Sequence, residues 1–336
     1  MTRLSCGAFA FHRIAQPLSV TRISVQKRQR GPVSLANRAH ISFMSSLGSA
    51  SATNPNYKAE TNRPSRVEIA AETLKAIRNG SYSTGEESFA LGPSVDACSS
   101  NTQYESANSA QLSGWRDTFI GRPHADLTRT TRVETRQAST LVALRRMREV
   151  TSQNTHIGVL NFASAKKPGG EFLSGARAQE ETLARSSTLY SSLTSPTGQT
   201  FYTPEEGRKE AGYYSHALIW SPGVTFFRSD EGDWLPPCIV DVITCAAVNA
   251  GAVRGKLTDD TQRLAADTQI HETMLERMRR LLRAFEIHGS THLILGSFGT
   301  GAFKNAVSLV ATLGRFSWSW SAVSRLVSAH RVCHHR

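Results

Sequence analysis

With 336 residues, the chain can bury a sizeable core as one large domain or two small ones. Its formal charge of +12 points to nucleic acid only until it is located: residues 1–59 hold eight Lys or Arg and no acid, residues 314–336 hold four Arg and no acid, and the two ends carry the whole excess. The charge-balanced segment 60–313 argues against a broad cationic surface for a phosphate backbone, so no direct nucleic-acid site is expected.

No run of 18 apolar residues occurs, so no membrane-spanning helix is predicted. The five cysteines (Cys6, Cys98, Cys238, Cys245, Cys333) are scattered, odd in number and free of a CxxC pair. They read as reduced thiols of an intracellular protein. The terminal cluster of His330, Cys333, His334 and His335 lacks a second ligand pair and reads as a tail, not a metal site.

Residues 1–43, rich in Arg and Ser, suit either a mitochondrial presequence or a disordered extension upstream of Met44. Residues 45–64 read as a linker. The first firm helix runs from Ser65 to Asn79. Ser65 and Glu68 form a capping box, Val67, Ala70, Ala71, Leu74 and Ile77 share one face, and Gly80 supplies the stop. Residues 84–114 are polar and read as an irregular connection, with a strand expected at Arg132–Arg136. Ser139 opens a helix with Leu141, Leu144 and Met147 facing inward.

An apolar strand, Ile157–Phe162, then breaks into a loop holding Lys166, Lys167, Pro168, Gly169 and Gly170. A helix opens near Ala178 with Gln179, Glu180 and Glu181. Short apolar runs follow at Ala217–Trp220 and Val224–Phe227, separated by Ser221-Pro222-Gly223. Ile239–Thr244 is β-branched and reads as a buried strand leading to Asn249. The longest helix spans Thr261 to His288, with Ile270, Met274, Leu281, Leu282 and Phe285 at helical spacing and Gly289 beyond it. His292–Leu295 is another buried-type strand. A second glycine loop, Gly296 to Phe303, precedes a helix capped by Asn305 and reaching about Leu313.

Strands alternating with helices predict an α/β sheet covered on both faces. Ligands in such sheets bind beyond the carboxyl ends of strands, where both glycine loops would converge. Loop amides ahead of a helix N-terminus can hold an anion. Adjacent carboxylates sit about 100° apart on a helix and can border one cleft, each raising the other's pKa by like-charge repulsion. The central stretch therefore suggests a phosphate-bearing ligand meeting acid–base chemistry. Asn161 and Asn249 end strands on that side, and either can serve as a turn cap.

The central residues also resemble the signature of the microbial-type poly(ADP-ribose) glycohydrolases, which are macrodomain proteins. That signature is a triple glycine, six to eight residues, then Gln-Glu-Glu. Here Gly169-Gly170-Glu171 is followed by seven residues and Gln179-Glu180-Glu181, so Glu171 stands where the pattern has its third glycine. The piece RVETRQASTLVALRRM at 132–147 resembles the segment just upstream of the family's site, and the resemblance extends from about Ser65 to about Leu313.

The resemblance implies a macrodomain-like three-layer α/β/α sandwich with a mixed central sheet and N-terminal accessory helices. The chain divides into an extension and linker (1–64), a helical accessory part (65–150), a macrodomain-like core (151–313) and a basic tail (314–336). The implied activity is hydrolysis of ribose–ribose bonds in poly(ADP-ribose), with Glu181 as general acid and base and Glu180 holding ribose hydroxyls. Gln179 would position both acids. Gly169, Gly170 and Asn161 would meet the distal ribose and diphosphate. Gly299, Thr300 and Gly301 would form a second anion nest, and Phe303 would pack near the substrate ribose.

No metal or cofactor is expected. The expected partners are poly(ADP-ribose) or ADP-ribosylated proteins, and the protein is expected to be a soluble monomer. Glu171 and the tail keep open an alternative, a module that binds ADP-ribose without turnover. A phosphatase acting on phosphorylated ADP-ribose is a third reading, but such sites do not call for Gln-Glu-Glu. The family pattern continues into a final apolar strand. Residues 314–336 offer Trp318 and Trp320 between serines instead, and are expected to leave the sheet uncompleted, with a short helix from about Ser321 to His330.

Overall fold

The computed structural model describes residues 64–115, 134–203 and 212–312. The expectations for the N-terminal extension, for Arg132 and Val133, and for the basic tail lie outside the described residues.

Seven strands are described: β1 (Ser81–Thr84), β2 (Glu87–Ala90), β3 (Gln103–Glu105), β4 (Ile157–Phe162), β5 (Leu218–Arg228), β6 (Trp234–Cys245) and β7 (His292–Ile294). Five of them form a mixed sheet in the order β3-β5-β6-β4-β7. β3 pairs with β5 and β5 with β6 antiparallel, whereas β6, β4 and β7 are mutually parallel. The parallel strands are apolar along their length because both faces are covered.

Alternation along each strand feeds two separate cores. Leu160, Ile243, Cys245 and Leu293 pack with Ile270, Met274, Leu281 and Phe285 of the helix Asp260–Ile287. Val159, Val242, Val240 and Ile294 pack on the opposite face with Leu141, Leu144 and Met147 of the helix Thr140–Val150. The result is a three-layer α/β/α arrangement. Among the described residues, β7 pairs on one side only. The described cysteines, Cys98, Cys238 and Cys245, are buried free thiols. No helix among the described residues is long and apolar enough to cross a membrane.

The Ser65 capping box and the left-handed Gly80 cap form as expected. The buried face of that helix differs: it is Ile69, Ala70, Thr73 and Ala76, while Val67 is 48% exposed. A polar residue can occupy the stripe because Thr73 Oγ1 donates to Arg185 O (2.6 Å).

The segment 84–114 is not irregular. It holds the end of the β1–β2 hairpin, the helix Gly92–Ser100, the edge strand β3 and a helical turn at Ala110–Ser113. Its apolar anchors are few but each is well placed. Leu91, Cys98 and Leu112 are buried, and Tyr82 stacks on Phe227 (ring centroids 5.0 Å) and Trp234 (5.4 Å). Glu134–Arg136 forms no strand; there the Arg136 guanidinium pairs with Glu134 (2.8 Å).

The runs either side of Ser221-Pro222-Gly223 are one strand, β5, whose register against β6 shifts between Ser221 and Val224. A bulge lets Pro222 sit inside a central strand without breaking the ladder, and Gly223 N–H donates to Asp241 Oδ1 (2.9 Å) there. Asn305 does not cap the last described helix, which covers 307–312. Its amide instead donates to Val248 O (2.7 Å) and Gly299 O (3.0 Å), tying together the loops that follow β6 and β7.

Candidate active site

The parallel strands β4, β6 and β7 all end at one edge of the sheet, so their following loops meet there. Ala163 N–H donates to Cys245 O (3.0 Å), joining the loops after β4 and β6. The Phe162 and Phe298 rings lie 5.9 Å apart, joining the loops after β4 and β7. The two glycine loops thus share one end of the sheet.

The helix Gln179–Ser186 brings its first turn into this end, with Gln179, Glu180 and Glu181 all buried. Gln179 holds the turn against β4: its Oε1 accepts from Phe162 N–H (2.9 Å), and its Nε2 donates to Leu160 O (2.8 Å) and Thr140 Oγ1 (3.3 Å). Its amide is thereby engaged by the protein itself. Glu180 is 3% exposed and its Oε2 accepts from Ser164 N–H (2.6 Å). Burial, reinforced by the charge of Glu181, pushes its carboxyl up to about 8. The Ser164 N–H and, more weakly, the Asn161 amide and Gly169 N–H act in the opposite sense. Glu181 Oε1 accepts from Glu171 N–H (3.1 Å).

On β4 and this helix turn, three acceptor oxygens remain without a hydrogen-bond partner in the protein: Asn161 Oδ1, Glu180 Oε1 and Glu181 Oε2. Asn161 itself is fully buried, with its Nδ2 donating to Thr244 Oγ1 (3.2 Å) across the β4–β6 register. Buried acceptors without partners are uncommon and costly. A cluster of three calls for a ligand that brings donors, as sugar hydroxyls would.

The loop 163–171 spends its amides on its own acids. Ser164 and Glu171 N–H point at the two carboxylates, and the Lys166 and Lys167 N–H groups share Ser164 Oγ (3.2 Å each). These loop donors are therefore engaged by the Glu180 and Glu181 carboxyls and by the Ser164 hydroxyl. Gly169 and Gly170 both have positive φ (67° and 60°). At Gly170 a Cβ would also collide with Glu181 Oε1, so only glycine lets the backbone pass the acid. Glu171 has φ −107°, an ordinary value, so no left-handed strain arises from the missing third glycine. Its carboxylate pairs with Lys167 Nζ on the exposed side of the loop.

In the second loop, Gly299 is left-handed (φ 73°), and a Cβ there would collide with Ala247 of the neighbouring loop. Thr300 turns its hydroxyl and its N–H onto Ser297 O (2.9 and 3.1 Å), whereas Gly301 faces open space. Phe303 is half-buried, its ring 5.9 Å from that of Tyr214. Asn249 caps the short helix Ala250–Arg254, accepting from Ala252 N–H (3.0 Å), and the capping role accounts for it.

Sequence reasoning missed three members. Thr140 and Ser164 act through single hydrogen bonds whose partners lie 39 and 16 residues away. Tyr202 has a buried hydroxyl without a partner in the protein, and burial together with the Glu180 charge drives its phenol well above the usual range. No local pattern marks any of the three.

Residues 70–229 match the family described as "Microbial-type PARG, catalytic domain". The chain is similar to the poly(ADP-ribose) glycohydrolase structure from Thermomonospora curvata at 32% identity and TM-score 0.68, covering 80% of this chain and 92% of that one. The Thermomonospora curvata enzyme bound to the inhibitor ADP-HPD matches at 31% identity and TM-score 0.65, with coverages of 80% and 92%. The poly(ADP-ribose) glycohydrolase of Deinococcus radiodurans in complex with ADP-ribose matches at 36% identity and TM-score 0.63, covering 73% and 92%. Curated proteins yield no match. With identity above 30% across nearly the whole length of these structures, and with the glutamate pair seated in its glycine loop at the sheet's carboxyl edge, the chain belongs to the microbial-type poly(ADP-ribose) glycohydrolase family.

Proposed function

We propose that this chain hydrolyses the ribose–ribose O-glycosidic bonds of poly(ADP-ribose), working mainly from chain ends and releasing ADP-ribose. The observation that carries this reading is the cluster of three unpartnered acceptors on Asn161, Glu180 and Glu181. It matches a ligand rich in hydroxyl donors beside a proton donor.

In the proposed sequence, Glu181 as a carboxylic acid protonates the oxygen that leaves from the anomeric carbon. The glycosidic bond breaks through an oxocarbenium-like transition state. Water then adds to that carbon while the Glu181 carboxylate takes its proton. Glu180 and Asn161 hold the ribose hydroxyls. Gln179 keeps the acid-bearing turn in register with β4. Residues 65–150 act as the accessory part and 151–313 as the core, on a monomeric intracellular protein.

One observation favours a second assignment of the acid. Burial keeps the Glu180 carboxyl protonated to about pH 8, so Glu180 is itself equipped to donate a proton. The test is to incubate the purified protein with automodified polymer and follow free ADP-ribose. Glu181→Gln should abolish release while ADP-ribose binding persists. Release by Glu181→Gln at the wild-type rate, with loss in Glu180→Gln, moves the acid role to Glu180. Binding without release by the wild type selects the binding-module alternative.

A further inference from the structure

Only two non-glycine residues among the described ones have left-handed backbone, Tyr214 (φ 55°) and Lys304 (φ 56°). Both bear on one side chain. The Tyr214 ring packs on Phe303 at 5.9 Å, and Lys304 is the next residue in the chain. Backbone strain of this kind persists only where surrounding contacts over-determine it, and it concentrates at functional sites.

Two guanidinium groups bond to the carbonyls of these two residues. Arg277 is 1% exposed on the helix Asp260–Ile287 and bonds only to carbonyl oxygens: Tyr213 O (2.9 Å), Tyr214 O (3.2 Å) and Ala246 O (2.8 Å). Arg254, whose side chain is 35% exposed, donates to Lys304 O (3.2 Å) while its Nε donates to Asp267 Oδ1 (2.7 Å). Between them, Phe303 O accepts from Gly251 N–H (3.1 Å), and the Lys304 stem lies close over Gly251, where an added Cβ would meet it at 3.3 Å. A buried cation without a carboxylate is an expensive way to stabilise a fold. It is an effective way to impose a backbone geometry that the local sequence resists.

We propose that Arg254 and Arg277 are positioning residues that set Phe303 as a rigid wall of the ribose subsite by holding its two left-handed neighbours. This rests on the reading that Phe303 meets the substrate ribose. Neither arginine touches the reacting atoms, so the clamp governs binding and leaves the acid–base step alone.

The experiment is a double-mutant cycle in the full chain with Phe303→Ala, Arg254→Ala and the double variant, read as KM and kcat for ADP-ribose release. Arg254 is exposed enough for its removal to leave the fold intact, and melting temperature is measured alongside. Arg254→Ala should raise KM by about tenfold, one decade of affinity, with kcat and melting temperature held. The double variant should be no worse than Phe303→Ala alone. Unchanged KM in Arg254→Ala, or additive effects in the double variant, would overturn the clamp. If the wild type releases no ADP-ribose, the glycohydrolase reading fails. The clamp is then tested separately by the same cycle on the ADP-ribose dissociation constant from calorimetry. A wild type that neither turns over polymer nor binds ADP-ribose overturns both.

Discussion

The two glycine loops sit side by side and solve different problems. The loop 163–171 points N–H groups of Ser164 and Glu171 inward at Glu180 and Glu181, and Gly170 lets the backbone pass a carboxylate. The loop 295–303 carries no acid; it presents Phe303, and the residues around that ring are strained and pinned from behind by arginines. The contrast teaches that a run of glycines does not say which way a loop's backbone donors point. Where a donor points, and what already occupies it, decides whether a loop serves chemistry or shape.

The sharpest way to break the first loop's half of this contrast is Glu181→Gln. Loss of a general acid costs about 10²–10⁴-fold in rate, and release of ADP-ribose from polymer should fall by that much. Gly170→Ala comes next. A methyl group at φ 60° would drive Glu181 Oε1 from its place, so activity should drop about 10²-fold through misplacement of the acid, with a lowered melting temperature. The corresponding change at Gly301, which faces open space, should leave the melting temperature unchanged. Equal falls at the two positions would erase the distinction between the loops.

Gln179→Ala removes three hydrogen bonds and leaves buried partners on Phe162 and Leu160 unpaired. A cost of about 1–3 kcal/mol is expected, readable in chemical denaturation.

A fourth measurement uses pH. The Glu180 carboxyl has a folded-state pKa raised from 4.5 to about 8. Its neutral form is favoured by folding, so the stability it contributes is fully present below pH 4.5 and is lost as pH rises through 8. Glu180→Gln, which stays neutral, should match wild type in melting temperature at pH 4.5 and exceed it at pH 8.5. A gap that narrows with rising pH would contradict the burial argument. His216 works in the other direction: burial and the neighbouring Arg277 and Arg280 lower it to about 4, so its contribution is lost as pH falls from 6.5 through 4.

The smallest effect should come from Glu171→Gly. The carboxylate is paired with Lys167 on an exposed side of the loop, and exposed pairs contribute about 0–1 kcal/mol. Turnover should change by no more than about fivefold on that energy scale. A large gain would mean that Glu171 repels the substrate's diphosphate.

Short-range signals in the chain were enough for the capped helices at Ser65 and Ser139, the apolar strands at 157–162 and 239–244, the long helix and the Gln-Glu-Glu turn behind its glycines. Each depends on neighbours within one turn or one strand, where capping, periodicity and φ preferences act. The polar hairpin and edge strand at 81–105 were illegible because a few anchors, such as Tyr82 on Trp234, hold them from far along the chain. The single β5 strand was illegible because Pro222 reads as a break until Asp241 on β6 supports the bulge. For the site, the residue types and their order were written locally. Which donors face the acids, why Gln179 is spent on β4, and how Arg254 and Arg277 strain the backbone beside Phe303 were decided only by tertiary structure. A hydrogen bond's direction depends on where folding brings its partner, and no local spacing encodes that.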